Sequence, residues 1–271
     1  MSAASAPRPR LDGVQPEGDV AQRDEVHVTE LLAAGDDHLV LGHRLSEWCG
    51  HAPMLEEDLA MPNMGLDMLG QARALYSYAA EIEGRGRTED DIAYLRTDRE
   101  YRNCLLVERP NGDFAHTLLR QLYFAAFMEP FWQATLGSTD ERLRGIAGKA
   151  VKEIAYHIRH AGEWVIRLGD GTEESARRMQ AAVDALHPYT DELFVPVPLR
   201  DGVDLALMPS REGMRACWDA TIDEIFGQAM LQIPEVQFPI TGGREGRHGE
   251  EFGHLLAELQ YMQRTYPGLA W

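Results

Sequence analysis

The sequence predicts an all-α protein, a bundle of long core helices with further helices packed outside it. Three observations carry that expectation. Apolar residues recur at helical spacing through most of the chain after residue 28. No segment keeps the strict apolar–polar alternation that a half-buried strand requires. The periodic stretches are separated by Gly, Pro and Asp, the residues that stop and start helices.

Residues 1–28 mix Pro, Arg, Asp, Glu and Ser, lack an apolar signal core, and read as a disordered tail; residues 29–271 read as a single domain. In the first helix Leu31, Leu32, Leu39, Val40, Leu45 and Trp48 form a broad apolar face, and Gly50 and Pro53 end it. A second helix is expected over 54–82, with a kink or restart at Pro62, ended by Gly84-Arg85-Gly86. A shorter one is expected over 90–103. After Pro110-Asn111-Gly112, Asp113 is a natural cap for a third long helix over 114–136. A fourth runs over 139–168, and Thr172 caps another that extends to about Phe194. Residues 195–210 read as a loop rich in Pro and Asp. Ser210 is expected to cap a helix reaching Ile233, and a last helix covers 250–265.

Lys and Arg number 26 against 44 Asp and Glu, a formal charge of −18. A surface of that sign disfavours nucleic acid and anionic membranes. No apolar run approaches the roughly 20 residues of a spanning helix. Cys49, Cys104 and Cys217 are odd in number and far apart, as expected of free, buried thiols in a reducing, cytoplasmic setting.

Long four-helix bundles commonly hold a carboxylate-bridged di-iron centre. Two helices then supply one carboxylate each, and two supply Glu-x-x-His, because positions i and i+3 share a face. Against this template the first helix offers Glu47, which also reads as the i, i+3 ion-pair partner of Arg44. The second offers Asp67-Met68-Leu69-Gly70-Gln71, so Met68 and Gln71 stand where carboxylate and imidazole are needed. The third offers Arg120-Gln121-Leu122-Tyr123 in place of an acid. In the fourth, the i, i+3 partner of His157 is Ile154, with Glu153 one residue earlier. Thioether, amide and aliphatic groups are poor ligands for hard iron. Glu47 and His157 alone cannot assemble the centre.

Four blocks of sequence carry a family resemblance: LGHRLSEWCGHAPMLEEDLAMPNMGLDMLGQ over 41–71, LVERPNGDF over 106–114, KAVKEIAYHIRHAGEWVIRLGDGT over 149–172, and TGGREGRHGEEFGHLLAELQYMQRTYPGLAW at the C-terminus. From residue 30 onward the chain resembles the structural, non-catalytic subunits of bacterial ring-1,2-phenylacetyl-CoA epoxidases, multicomponent monooxygenases of phenylacetate degradation. The resemblance implies a ferritin-like four-helix bundle with peripheral helices. It implies no metal and no catalytic residue in this chain, with Glu47, Met68, Gln71, Ile154 and His157 at degenerate ligand positions. It implies a homologous di-iron catalytic subunit, a small accessory subunit, and a reductase carrying flavin and an iron–sulfur cluster. The whole would epoxidise phenylacetyl-CoA with O₂ and NADPH electrons.

The resemblance further implies contact with the CoA ester near a subunit interface. Arg99, Glu100, Tyr101, Arg102 and Asn103 are the expected contacts, since Arg96, Arg99 and Arg102 would share one helical face. Two other readings stand beside this one. One is a di-iron oxygenase in its own right, using Glu47, Asp67, Glu153 and His157. The other is a helical scaffold for an unrelated partner.

Overall fold

A computed structural model of the chain describes residues 17–198 and 207–269, with side chains from residue 24 onward. Among the described residues there are nine α-helices and no strand. Four long helices form the core: α1 (Glu17–Ser46), α2 (Leu55–Glu83), α5 (Phe114–Thr135) and α6 (Glu141–Gly169). The two short helices α3 (Glu89–Leu95) and α4 (Leu105–Glu108) lie in the crossover between the two core hairpins. Helices α7 (Glu173–Leu186) and α8 (Arg215–Ala229) pack outside α5 and α6, and α9 (Glu250–Thr265) packs on α3.

Local chemistry explains most boundaries. Asp113 caps α5 by accepting from His116 N at 3.0 Å, and Asp140 caps α6 by accepting from Leu143 N at 2.7 Å. Thr88 and Thr172 open α3 and α7 with reciprocal capping boxes. Gly84 ends α2 in the left-handed conformation (φ 65°), its N–H donating to Ala80 O. On α6, Leu143, Ala147, Ala150, Ile154, His157, Ala161 and Val165 are buried at three- and four-residue spacing, the single stripe of an amphipathic helix. Helix α5 is buried nearly all round, as befits the centre of the bundle.

Helices α1 and α2 run antiparallel in close contact. A Cβ on Gly42 would stand 3.1 Å from Gly65 O, and one on Gly65 would stand 3.0 Å from Gly42 O. Only the absence of side chains lets these backbones approach so closely.

The structure departs from expectation at several elements. Helix α1 reaches back to Glu17, into the stretch read as a tail; Val26 is buried there. Residues 1–16 and 270–271, and residues 199–206 of the expected 195–210 loop, lie outside the described residues. Helix α2 continues through Pro62 without a restart. Its neighbours Met61, Met64 and Met68 are all fully buried, and that packing outweighs the roughly 3 kcal/mol a helical proline costs. The helix expected over 90–103 stops at Leu95, because Arg96 turns inward to a buried carboxylate. The helix expected to reach Phe194 ends at Leu186 and continues as a 3-10 turn over Pro188. Helix α8 starts at Arg215, not at a Ser210 cap, after a 3-10 turn over Glu212–Met214. All three thiols are free, but only Cys104 is buried.

Candidate functional site

The midpoint of the four core helices is polar where an ordinary bundle core would be apolar. From α2, Gln71 Nε2 donates to Glu153 Oε2 of α6 at 2.9 Å. From α6, His157 places Nε2 3.1 Å from Asp67 Oδ2 of α2 and Nδ1 3.2 Å from Gln121 Nε2 of α5. Helix α1 contributes His38, whose Nδ1 donates to Ala34 O at 2.7 Å. The ring is fully buried beside Phe124 and Trp132, and its Nε2 makes no hydrogen bond within 3.5 Å among the described residues. Burial pushes this imidazole down to about 4, although the Ala34 carbonyl, Asp37 and the Gln71 amide favour its protonation. Met68 and Ile154, one turn before Gln71 and His157, are fully buried at the same level.

Glu47 does not join this group. It follows the last residue of α1, where Arg44 Nη1 donates to it at 2.9 Å and Asn111 Nδ2 at 2.8 Å. It stands about 13 Å further along the axis than His38, at about 1.5 Å per residue. The antiparallel register of α1 and α2, set where Gly42 meets Gly65, places His38 opposite Gln71. Sequence reasoning chose the acid nearest the end of the first helix. It missed His38, whose mark in the sequence is a polar triplet, Asp36-Asp37-His38, inside an otherwise apolar run.

This donor set does not fit a di-iron centre. Such a centre takes four carboxylates and two imidazoles. Here two imidazoles, two amides, a thioether and an isoleucine face the middle. The two nearby carboxylates are engaged by His157 and by Gln71 with Lys149. Among the described residues no three His, Cys, Asp or Glu side chains gather where they could hold a metal ion.

The two acids beside His38 build a second buried polar layer. Asp36 accepts from Tyr76 Oη at 2.6 Å, from Arg102 N at 2.7 Å and from both terminal nitrogens of Arg96. Asp37 accepts from Arg244 Nη1 and Nη2 at 2.9 and 2.8 Å and from Cys104 N at 2.8 Å, with Arg211 at 3.6 Å. Burial alone would raise the Asp37 carboxyl; Arg244 and Arg211 overcome it and hold the group below the ordinary carboxylate range. Glu192 accepts from the backbone of Leu105, Gly242 and Arg244, and Glu108 binds Asn103, His248 and Gly249 N. Through these acids the bundle fixes both the crossover and the C-terminal segment.

That layer also decides where the expected CoA contacts stand. Arg96, Arg99 and Arg102 do not share a helical face. Arg96 is buried on Asp36, and the following residues form a 3-10 turn over Asp98–Glu100. Tyr101 is buried, donating to Ala93 O, and Asn103 is buried against Glu108. Arg99 and Glu100 are exposed, Glu100 accepting from Thr97 N at 2.7 Å. Half-buried Arg102 donates from Nη1 to Arg99 O and Tyr101 O. A groove of about 430 Å³ runs beside this turn, between Thr97, Asp98 and Leu256, Gln260 and Arg264.

Residues 13–271 match the phenylacetic acid catabolic protein family. The chain belongs to that family. A relative from Escherichia coli (strain K12), named as one of the subunits of 1,2-phenylacetyl-CoA epoxidase, is 46% identical over 247 residues, covering 89% of this chain and 97% of the relative. The phenylacetic acid catabolic protein match begins before α1 and runs to the C-terminus, so it includes every element of the two polar layers. No helix of the described residues is long and apolar enough to cross a membrane.

Proposed function

We propose that this chain is the structural subunit of a phenylacetyl-CoA epoxidase of phenylacetate catabolism. It holds no di-iron centre of its own. It docks with a homologous catalytic subunit that carries the di-iron site, and works with a small accessory subunit and a flavin and iron–sulfur reductase. The observation that carries this reading is the donor set at the bundle midpoint. His38, Gln71, Gln121 and His157 keep a four-helix polar centre but replace the carboxylates that iron requires.

The chemistry of this chain is then positional. A di-iron subunit needs its ligand helices held to a fraction of an ångström, and a rigid helical partner supplies that support. The buried acid–arginine layer serves the same end by locking the crossover and the C-terminal segment onto α1. Arg99 and Glu100, exposed, with half-buried Arg102 beside them, form the accessible part of the proposed CoA-ester contact.

Metal analysis and reconstitution test the reading together. The purified chain is expected to contain far less than one iron and to show no epoxidation with reductase, NADPH and phenylacetyl-CoA. Adding it to the catalytic subunit is expected to raise turnover. About two irons per chain with a carboxylate-bridged spectrum, or unchanged turnover in the mixture, would defeat the proposal.

A further inference from the structure

Around His38, three buried polar atoms make no hydrogen bond among the described residues: Nε2 of His38 itself on α1, Oε1 of Gln71 on α2 and Nε1 of Trp132 on α5. All three residues are at most 2% exposed. The His38 and Trp132 ring centroids lie 5.9 Å apart, and the Gln71 amide stands near enough to the His38 ring to favour its protonation. Buried polar atoms left in this state cost free energy, and native proteins meet nearly all of them with a protein group or an ordered water.

The role of each atom is fixed. His38 Nδ1 lies 2.7 Å from Ala34 O, which can only accept, so Nδ1 carries the ring proton and Nε2 presents a lone pair. A second proton on Nε2 would serve Gln71 but would bury a cation, and burial keeps this ring neutral at ordinary pH. Gln71 Nε2 donates to Glu153, which leaves Oε1 as a second acceptor. Trp132 Nε1 can only donate. His38 and Gln71 therefore meet acceptor to acceptor, and neither can satisfy the other.

We infer that the centre of the bundle binds one ordered water, which donates to His38 Nε2 and Gln71 Oε1 and accepts from Trp132 Nε1. Three partners is the usual number for a buried water. The same inventory rejects a charged ligand. A cation would face the indole N–H, and the carboxylates that would pair with it are taken, Asp67 by His157 and Glu153 by Gln71 and Lys149. An anion would face two lone pairs. The water occupies the level at which a di-iron bundle keeps its metal, and it ties α1, α2 and α5 together through one oxygen. It gives the imidazole and the amide at that level a task that needs no metal. The inference goes beyond the subunit role and concerns this chain alone.

Crystals and an isotope-labelled sample of the full chain test it. High-resolution density is expected to show a single solvent peak about 2.7–3.2 Å from each of the three atoms. In solution, the Trp132 indole proton is expected to give a magnetisation-transfer cross-peak to a long-lived water, a readout that needs no variant. Gln71→Leu, checked for folding by circular dichroism, is expected to lose that cross-peak. No solvent peak, a wild-type indole proton without a water contact, or a cross-peak retained in folded Gln71→Leu would each overturn the inference. So would an anomalous peak at this position after a soak in a rubidium salt, which would make the ligand a cation. These results leave the subunit role standing; iron at the same position would defeat both.

Discussion

Arg244 and Asp37 are buried side by side and joined by two hydrogen bonds of 2.9 and 2.8 Å, although 207 residues separate them in the chain. The pair ties the segment before α9 to the middle of α1, and Arg244 N is held in turn by Glu192. Arg244→Met leaves buried Asp37 with the Cys104 N–H and, as its one cation, the more distant Arg211, so a loss of about 3–5 kcal/mol is expected. Urea unfolding measures it. A D37N/R244M double variant should lose less than the sum of its single variants, because removing both charges avoids stranding one.

His38 sets a pH dependence. Its imidazole is held down to about 4 when folded, against about 6.5 in an unfolded chain. Between those values the unfolded state binds the extra proton, so stability rises with pH through that window and falls on acidification from about 6.5 to about 4. The expected contribution is roughly 3 kcal/mol. His38→Gln should flatten this part of the stability profile; an unchanged slope would show that the ring is not held neutral.

Two glycine-to-alanine changes should act in opposite directions. A Cβ on Gly35 would stand 2.4 Å from Cε1 of Tyr76, whose hydroxyl donates to Asp36. Gly35→Ala must push the ring off that carboxylate, and a loss of about 1–3 kcal/mol is expected. Gly227, within α8, has nothing within 4 Å of the corresponding position. Gly227→Ala should stabilise by about 0.5–1 kcal/mol through helix propensity. Melting temperatures of the two variants decide the point.

Arg99→Glu tests the CoA-ester contact with little risk to the fold, since Arg99 is exposed on the 3-10 turn. Binding of phenylacetyl-CoA to the assembled complex should weaken by about five-fold, in keeping with the loss of one exposed phosphate contact. Unchanged affinity would move the contact elsewhere. The equivalent change at Arg102 is less clean, because its guanidinium braces the turn through Arg99 O and Tyr101 O.

The sequence by itself determined the helical class, the four core helices and most of their ends. Those features rest on local chemistry: a three-to-four spacing of apolar residues, Asp113 and Thr172 at helix starts, Gly84 at a helix stop. It also placed Met68 and Gln71 on one face in the middle of α2, beside Asp67, because positions three apart are read from spacing within one helix. Only the tertiary structure decided which residue of α1 faces them. Register between helices depends on where backbones can touch, and the contact of Gly42 with Gly65 brings His38, not Glu47, to the centre. The same limit explains Arg96. Helical periodicity placed it on a solvent face with Arg99 and Arg102, but Asp36 lies 60 residues away in sequence. A buried carboxylate must find a cation, and that demand ended α3 and took the arginine inside.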